Sequence, residues 1–163
     1  NYSKLKILKL KDKNMIIKQV NGRDSDFYSL CKQLENHQYK LLPNIKEKGY
    51  NLTDDLSEVI GYILYDNDTP IGSIGLKKVT DTRCEFVRVF VAENHRGKGY
   101  VTTLFQNIES LAKSLGYTDA EIVAWCKAVP AVNLYKKLGY QASEEKTSTW
   151  YGGDKYIELK KKL

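Results

Sequence analysis

The stretch from Glu85 to Val101 admits few architectures. It opens as an apolar, β-branched run and passes through the basic turn Arg96-Gly97-Lys98-Gly99. It then enters a segment whose apolar residues, Val101, Leu104, Phe105, Ile108, Leu111, Ala112 and Leu115, recur on one face of a helix. A strand that feeds straight into a helix needs a partner strand beyond it. The run from Asp119 to Cys126 supplies one, so the crossover implies a parallel pair. Gly97 and Gly99 let the backbone turn sharply. Unpaired N–H groups of the helix's first turn then point outward with the positive end of the helix dipole behind them, a site for an anion such as phosphate. Arg96 and Lys98 add full charges. Taken alone, the same composition also suits an ordinary solvated turn.

The remaining elements are read around this centre. Residues 16–20 form a first strand, and Phe27, Leu30, Cys31 and Leu34 predict a helix over about 24–36, with a short second helix near 43–50. Two β-rich runs, 59–65 and 71–79, flank a turn at 66–70 and read as a hairpin. A strand at 84–92 and a helix at 99–115, closed by Gly116, come next. After the strand at 119–126, Pro130 suits the first turn of a helix that stops at Gly139. Strands at about 140–149 and 155–161 flank a turn at 151–154. The order β-α-(α)-β-β-β-α-β-α-β-β predicts an α/β (α+β) fold with a mixed, mostly antiparallel sheet of about seven strands and about four helices.

At 163 residues the chain suits one domain with a real core, without internal repeats or linkers. Its net charge of +6 invites a nucleic-acid reading. Residues 1–13 and 160–162 together carry +7, however, which leaves −1 for the body of the domain. Solvated ends explain the balance, and nucleic acid is not the expected partner. We read residues 1–14 as a basic arm, either an edge strand or mobile, and 15–163 as the compact domain. No apolar run approaches the roughly 18 residues of a membrane span, and no signal segment opens the chain, so a cytoplasmic location is expected. Cys31, Cys84 and Cys126 are widely spaced, with only two histidines to help, which supports neither disulfides nor a metal site.

Two motifs together carry a resemblance. Arg96-Gly-Lys-Gly-Tyr-Val101 after a strand, and Ala131-Val-Asn-Leu-Tyr-Lys-Lys-Leu-Gly-Tyr140 some thirty residues later, resemble the GNAT family of N-acetyltransferases. The first is similar to that family's pyrophosphate loop, the second to its helix ending in a tyrosine, a glycine and an aromatic. The resemblance runs from about Val59 to the end and implies acetyl-CoA as co-substrate, with no metal. It implies that backbone groups of Val89, Phe90 and Val91 bond the pantetheine arm like an added strand, although the same residues read equally as core. It also assigns the pyrophosphate to the turn Arg96, Gly97, Lys98, Gly99, Tyr100, Val101 and Thr102. Two departures stand out: Val101 replaces the family's Gly or Ala, and Ala128 stands where many members carry Asn.

The implied reaction is direct acetyl transfer to a primary amine, on a small molecule or a protein. Such transfer needs a neutral amine, a polarised carbonyl and a stabilised thiolate. Tyr135 is the candidate acid for the thiolate, with a core aromatic as the alternative. An ordinary phenol giving its proton to a thiolate works uphill by about 2 kcal/mol, which a hydrogen-bonded site can absorb. Glu85 is the first candidate for the base and Glu121 the second, each also readable as a surface carboxylate. His95 sits beside Arg96 and is expected to be exposed. The acceptor should meet the first half of the chain, where Tyr28, Tyr39, Tyr50, Asp54, Asp55 and Glu58 would suit a cationic amine. The alternatives are a non-catalytic acyl-CoA-binding module, or a nucleic-acid or partner-binding protein acting through its basic ends. A monomer and a homodimer are both compatible with the sequence.

Overall fold

The computed structural model describes residues 7–9, 14–149 and 152–163. Among these residues nine strands form one sheet, and four α-helices pack on it: β1 (Ile7–Lys9), β2 (Met15–Asn21), α1 (Ser25–Leu41), α2 (Pro43–Glu47), β3 (Ile60–Asp66), β4 (Thr69–Lys78), β5 (Arg83–Val91), α3 (Tyr100–Ser114), β6 (Asp119–Trp125), α4 (Val129–Lys137), β7 (Gln141–Ala142), β8 (Lys146–Thr147) and β9 (Lys155–Lys162). Across the sheet the strands lie in the order β1-β2-β3-β4-β5-β6-β9-β7, with β8 also on β9. Every pairing is antiparallel except β5 with β6, the pair joined by the α3 crossover.

Both faces of the sheet are covered, so the central strands β3 and β4 are buried almost throughout. Alternation along β3 divides the core: Tyr62 and Leu64 join a cluster with Leu104, Phe105, Ile108 and Ala112 of α3, while Ile63 and Tyr65 join Phe27, Leu30, Cys31 and Leu34 of α1. Phe105 centres the first cluster, with its ring against Phe86, Tyr135 and Tyr140 at 5.9, 5.5 and 5.7 Å between centroids. The same region is pinned by Glu109, whose carboxylate accepts from the Tyr140 hydroxyl at 2.8 Å and from Lys161 Nζ at 3.0 Å. Asp24 caps α1 by accepting from the backbone N–H groups of Asp26 and Phe27.

Several boundaries differ from the sequence reading. Helix α1 runs on to Leu41, because nothing breaks it before Pro43, which instead opens α2. The strand expected over 140–149 is two short pieces. Between them Ser143 interrupts the ladder: its N–H donates to the Glu158 carbonyl, and its own Oγ takes the Glu158 N–H at 3.1 Å. Residues 7–9 of the basic arm form the edge strand β1, while the rest of residues 1–13 lies outside the described residues, as do 150 and 151 near the expected last turn.

Phe105→Ala should lower the unfolding free energy by about 3–5 kcal/mol. Urea denaturation checks this, with an unchanged m-value expected and a loss below about 1 kcal/mol refuting the central place of this ring.

Candidate active site

The site begins where two strands part. β5 and β6 pair through Arg83 with Asp119, Cys84 with Ala120 and Glu85 with Glu121, and there the ladder ends. On its other side β5 stays on β4, but the register passes from Gly75 opposite Val87 to Ser73 opposite Phe90, leaving one extra residue in β5. Arg88 takes up that excess with a left-handed φ of +57°, and the buried Ser73 donates its hydroxyl to the Arg88 carbonyl at 2.8 Å. A bulge bends its strand and sharpens the twist, which carries β5 away from β6.

Past the bulge, β5 has an unpaired edge. The Ala92 N–H donates to the Ile71 carbonyl across β4, so by alternation the peptide groups of Phe90 also face β4, and those of Val89 and Val91 face the gap. The Val91 carbonyl is occupied by Arg96 Nε at 2.8 Å, and the Arg96 guanidinium lies 5.7 Å from the Phe90 ring centre. Of the three residues expected to offer backbone groups to a ligand, Val89 and Val91 therefore turn them to the open edge and Phe90 does not.

The turn that follows is built from bare peptide. Gly97 and Gly99 have φ of +76° and +79°, and a Cβ at either would meet nothing within 4 Å, so their backbone conformation explains the residue choice. Among the described residues, the six successive N–H groups from Gly97 to Thr102 find no hydrogen-bond acceptor; the first helical bond belongs to Thr103, onto the Gly99 carbonyl. That row sits at the positive end of α3 with Lys98 exposed beside it. Val101 packs against the main core, so its bulk turns inward from the row. His95 is half-buried rather than exposed, with Nε2 3.3 Å from Asp66 Oδ2 and away from the cavity described next.

Where the strands part, a cavity of about 500 Å³ opens. Glu85, Arg88 and Val89 of β5 line one side, Val123 and Trp125 of β6 the other, and Tyr135 of α4 contributes as well. Leu34 and Gln38 of α1 and the segment around Tyr50 and Leu52 complete the wall nearest the first half of the chain. The Tyr135 ring is 6% exposed and its hydroxyl makes no hydrogen bond to a described residue. Burial pushes that phenol well above its ordinary range, which makes it a weaker acid than a phenol in water. Burial also raises the Glu85 carboxyl, helped by the carboxylates of Glu121 and Glu158 and opposed by Lys77 and Arg88. Glu121 lies beside Glu85 in register but outside the cavity lining, with Arg83 3.9 Å away.

Of the aromatic and acidic residues expected to meet an acceptor, Tyr50 alone reaches the cavity. Tyr39 donates its hydroxyl to the Tyr50 carbonyl, Asp55 pairs with Lys77 at 2.9 Å, Asp54 accepts from Asn51, and Tyr28 and Glu58 are exposed. Arg88, Gln38, Trp125 and Tyr156 also line the cavity and escaped the sequence reading. Arg88 left a trace there, a cation between Val87 and Val89 in an apolar run. Gln38 left none. Among the described residues no cluster of side chains could hold a metal ion, and no helix is long and apolar enough to cross a membrane.

A family model described as the acetyltransferase (GNAT) family matches residues 25–140, from α1 through α4. The chain belongs to the GNAT family. Among solved structures of this fold, an acetyltransferase from Streptococcus agalactiae superposes with a TM-score of 0.71 at 18% identity, covering 93% of this chain and 99% of that one. A GNAT family acetyltransferase from Elizabethkingia anophelis, with acetyl-CoA bound, gives 0.67 at 20% identity, covering 94% and 100%. The sequence is 30% identical over 80 residues to N-acetyltransferase 8 of Rattus norvegicus, which is 46% of this chain and 36% of that protein. The chain thus spans less than half the length of the curated relatives it matches.

The raised Glu85 carboxyl makes a prediction about stability. A carboxyl whose pKa is higher folded than unfolded favours folding while protonated, and that contribution is lost as pH rises through the folded value. At pH 7.5 the ionised group therefore costs stability. Glu85→Gln should melt at higher temperature than the wild type at pH 7.5, with the difference closing below about pH 4, where an unfolded glutamate is protonated too. Melting curves across pH check this; equal midpoints at pH 7.5 would contradict it.

Proposed function

We propose that this protein is an acetyl-CoA-dependent N-acetyltransferase that passes the acetyl group directly to a primary amine. The observation that carries the reading is the continuity of the row of free N–H groups from Gly97 to Thr102, the open edge of β5 and the cavity under Tyr135. Phosphate, an amide-bearing arm and a thioester are met in that order along such a path. The acetyl-CoA bound to the E. anophelis relative supports the same assignment. The residues present fit the group: the glycine turn leaves open space where side chains would otherwise stand, and its donors lack acceptors.

When bound, acetyl-CoA supplies a thioester carbonyl and a thiolate leaving group. The residues around it divide the remaining work. The turn from Arg96 to Thr102 holds pyrophosphate by backbone donation and by the charge of Lys98, with Arg96 bracing the turn against β5 through Val91. Val89 and the Val91 N–H offer strand-like hydrogen bonds to the arm. Tyr135, protonated and unpartnered, donates to the sulfur as negative charge develops there. Glu85 takes the proton from the attacking amine; its raised pKa brings it closer to neutrality, where a general base works best. Glu121 supports that shift as a neighbouring negative charge.

An assay of free CoA thiol across an amine panel tests the reading. Release of CoA with at least one amine is expected; tight acetyl-CoA binding by calorimetry without release from any amine would favour a non-catalytic acyl-CoA module. Tyr135→Phe should lower kcat about 100-fold while leaving the melting temperature nearly unchanged, since the hydroxyl it removes makes no hydrogen bond to a described residue. Full turnover at every pH would exclude Tyr135 as the acid. Lys98→Ala should raise KM for acetyl-CoA by about 3- to 10-fold at low salt, and less at high salt.

A further inference from the structure

Among the described residues, the cavity is lined by one cationic side chain, and it has no ion-pair partner. Arg88 lines it from the bulge of β5, its Nε is shielded from solvent without a hydrogen-bond partner, and its side chain makes no ion pair with a described residue. The nearby carboxylates are engaged elsewhere. Asp55 is held by Lys77 at 2.9 Å, and Glu35 takes Lys32 at 2.8 Å and the Leu52 N–H at 2.6 Å. Glu85 acts on Arg88 only through space, with no contact within salt-bridge distance. A partly buried guanidinium whose Nε is shielded from water and that has no ion-pair partner among the described residues is suited to meet an anion when the site fills. Gln38 adds a second shielded and unpartnered polar atom, its Oε1, on the same cavity.

The opposite wall is aromatic. Tyr50 meets Trp125 edge-on at 6.0 Å, and Trp125 meets Tyr156 at 6.4 Å, all three lining the cavity. The cavity therefore presents a cation, a carboxylate and an aromatic wall together. We propose that the acceptor is an α-amino acid with an aromatic or large apolar side chain, its carboxylate held by Arg88 and its amine set against Glu85 and Gln38. This rests on the acetyltransferase reading and narrows its acceptor. Arginine suits the role because its planar fork matches a carboxylate with two parallel hydrogen bonds, and because it stays charged at every working pH. The strained backbone has a use here: the left-handed residue of a bulge aims its side chain off the regular alternation of the strand.

The test compares L-phenylalanine with phenethylamine, which keeps the ring and the amine but lacks the carboxylate, in the CoA-release assay. The wild type should prefer phenylalanine by about 10- to 100-fold in kcat/KM, the size of a charge-assisted pair. Arg88→Gln should bring the ratio of the two close to one, and Arg88→Lys should restore part of it. A wild-type ratio near one, or a ratio that survives Arg88→Gln, overturns the proposal, and the wild-type comparison decides even where a variant fails to fold. Calorimetry of N-acetylphenylalanine against N-acetylphenethylamine, with CoA present, reads the same pair without turnover. A carboxylate preference there that vanishes in Arg88→Gln upholds the binding site even if no amine releases CoA, in which case the catalytic reading fails alone. Equal binding of the two products overturns the carboxylate site directly.

Discussion

The parting of β5 from β6 after Glu85 and Glu121 is the constraint on which the rest of the molecule depends. A continuous ladder would have filled the sheet with backbone hydrogen bonds and left no cavity. The separation is enforced by an extra residue at Arg88, stabilised by the buried Ser73 hydroxyl, and sustained because α3 and α1 cover the two faces of the sheet on either side of the gap. Free peptide groups on a strand edge inside a fold are normally a cost. Here they lie along the path that ends at the free N–H groups ahead of α3, so one local irregularity produces both a groove and its donors.

The chemistry of the site follows from how unevenly its polar groups are solvated. Tyr135 is packed against Phe105 and stays a phenol; Glu85, three residues before the bulge at Arg88, holds its proton more tightly than an exposed glutamate. These two shifts have a common origin in desolvation, and both push toward the protonated form. The same dry environment thus makes the Tyr135 phenol a weaker acid and the Glu85 carboxylate a stronger base than either would be in water.

Sequence patterning made the central elements legible because their signals are local. The spacing of Leu104, Phe105 and Ile108 needs only a 3.6-residue period to be read as α3, and Gly97 and Gly99 announce a backbone conformation that few other residues adopt. The chain's membership of the GNAT family was likewise visible in two short motifs. What stayed hidden depends on register. Nothing in the residues 83–91 says that β5 gains a residue over β4 at Arg88, since a bulge is a relation between two strands. Gln38 and Tyr156 reach the cavity only because distant elements converge there, and Asp54, Asp55 and Glu58 miss it although they are near Tyr50 in the chain. The broken last strand was hidden for the same reason, because Ser143 replaces a ladder bond with its own hydroxyl only when β9 lies alongside.

The brevity of the β5–β6 pairing also bears on cohesion. The sheet's hydrogen-bonded continuity from the first five strands to β6 and β9 passes through three residue pairs, and beyond them the two groups of strands diverge. A ligand lying along the open edge of β5 would act as a short tenth strand wedged into a seam. It would then contribute to holding the halves of the sheet together as well as being held by them, so occupancy and mechanical integrity of the fold become coupled quantities.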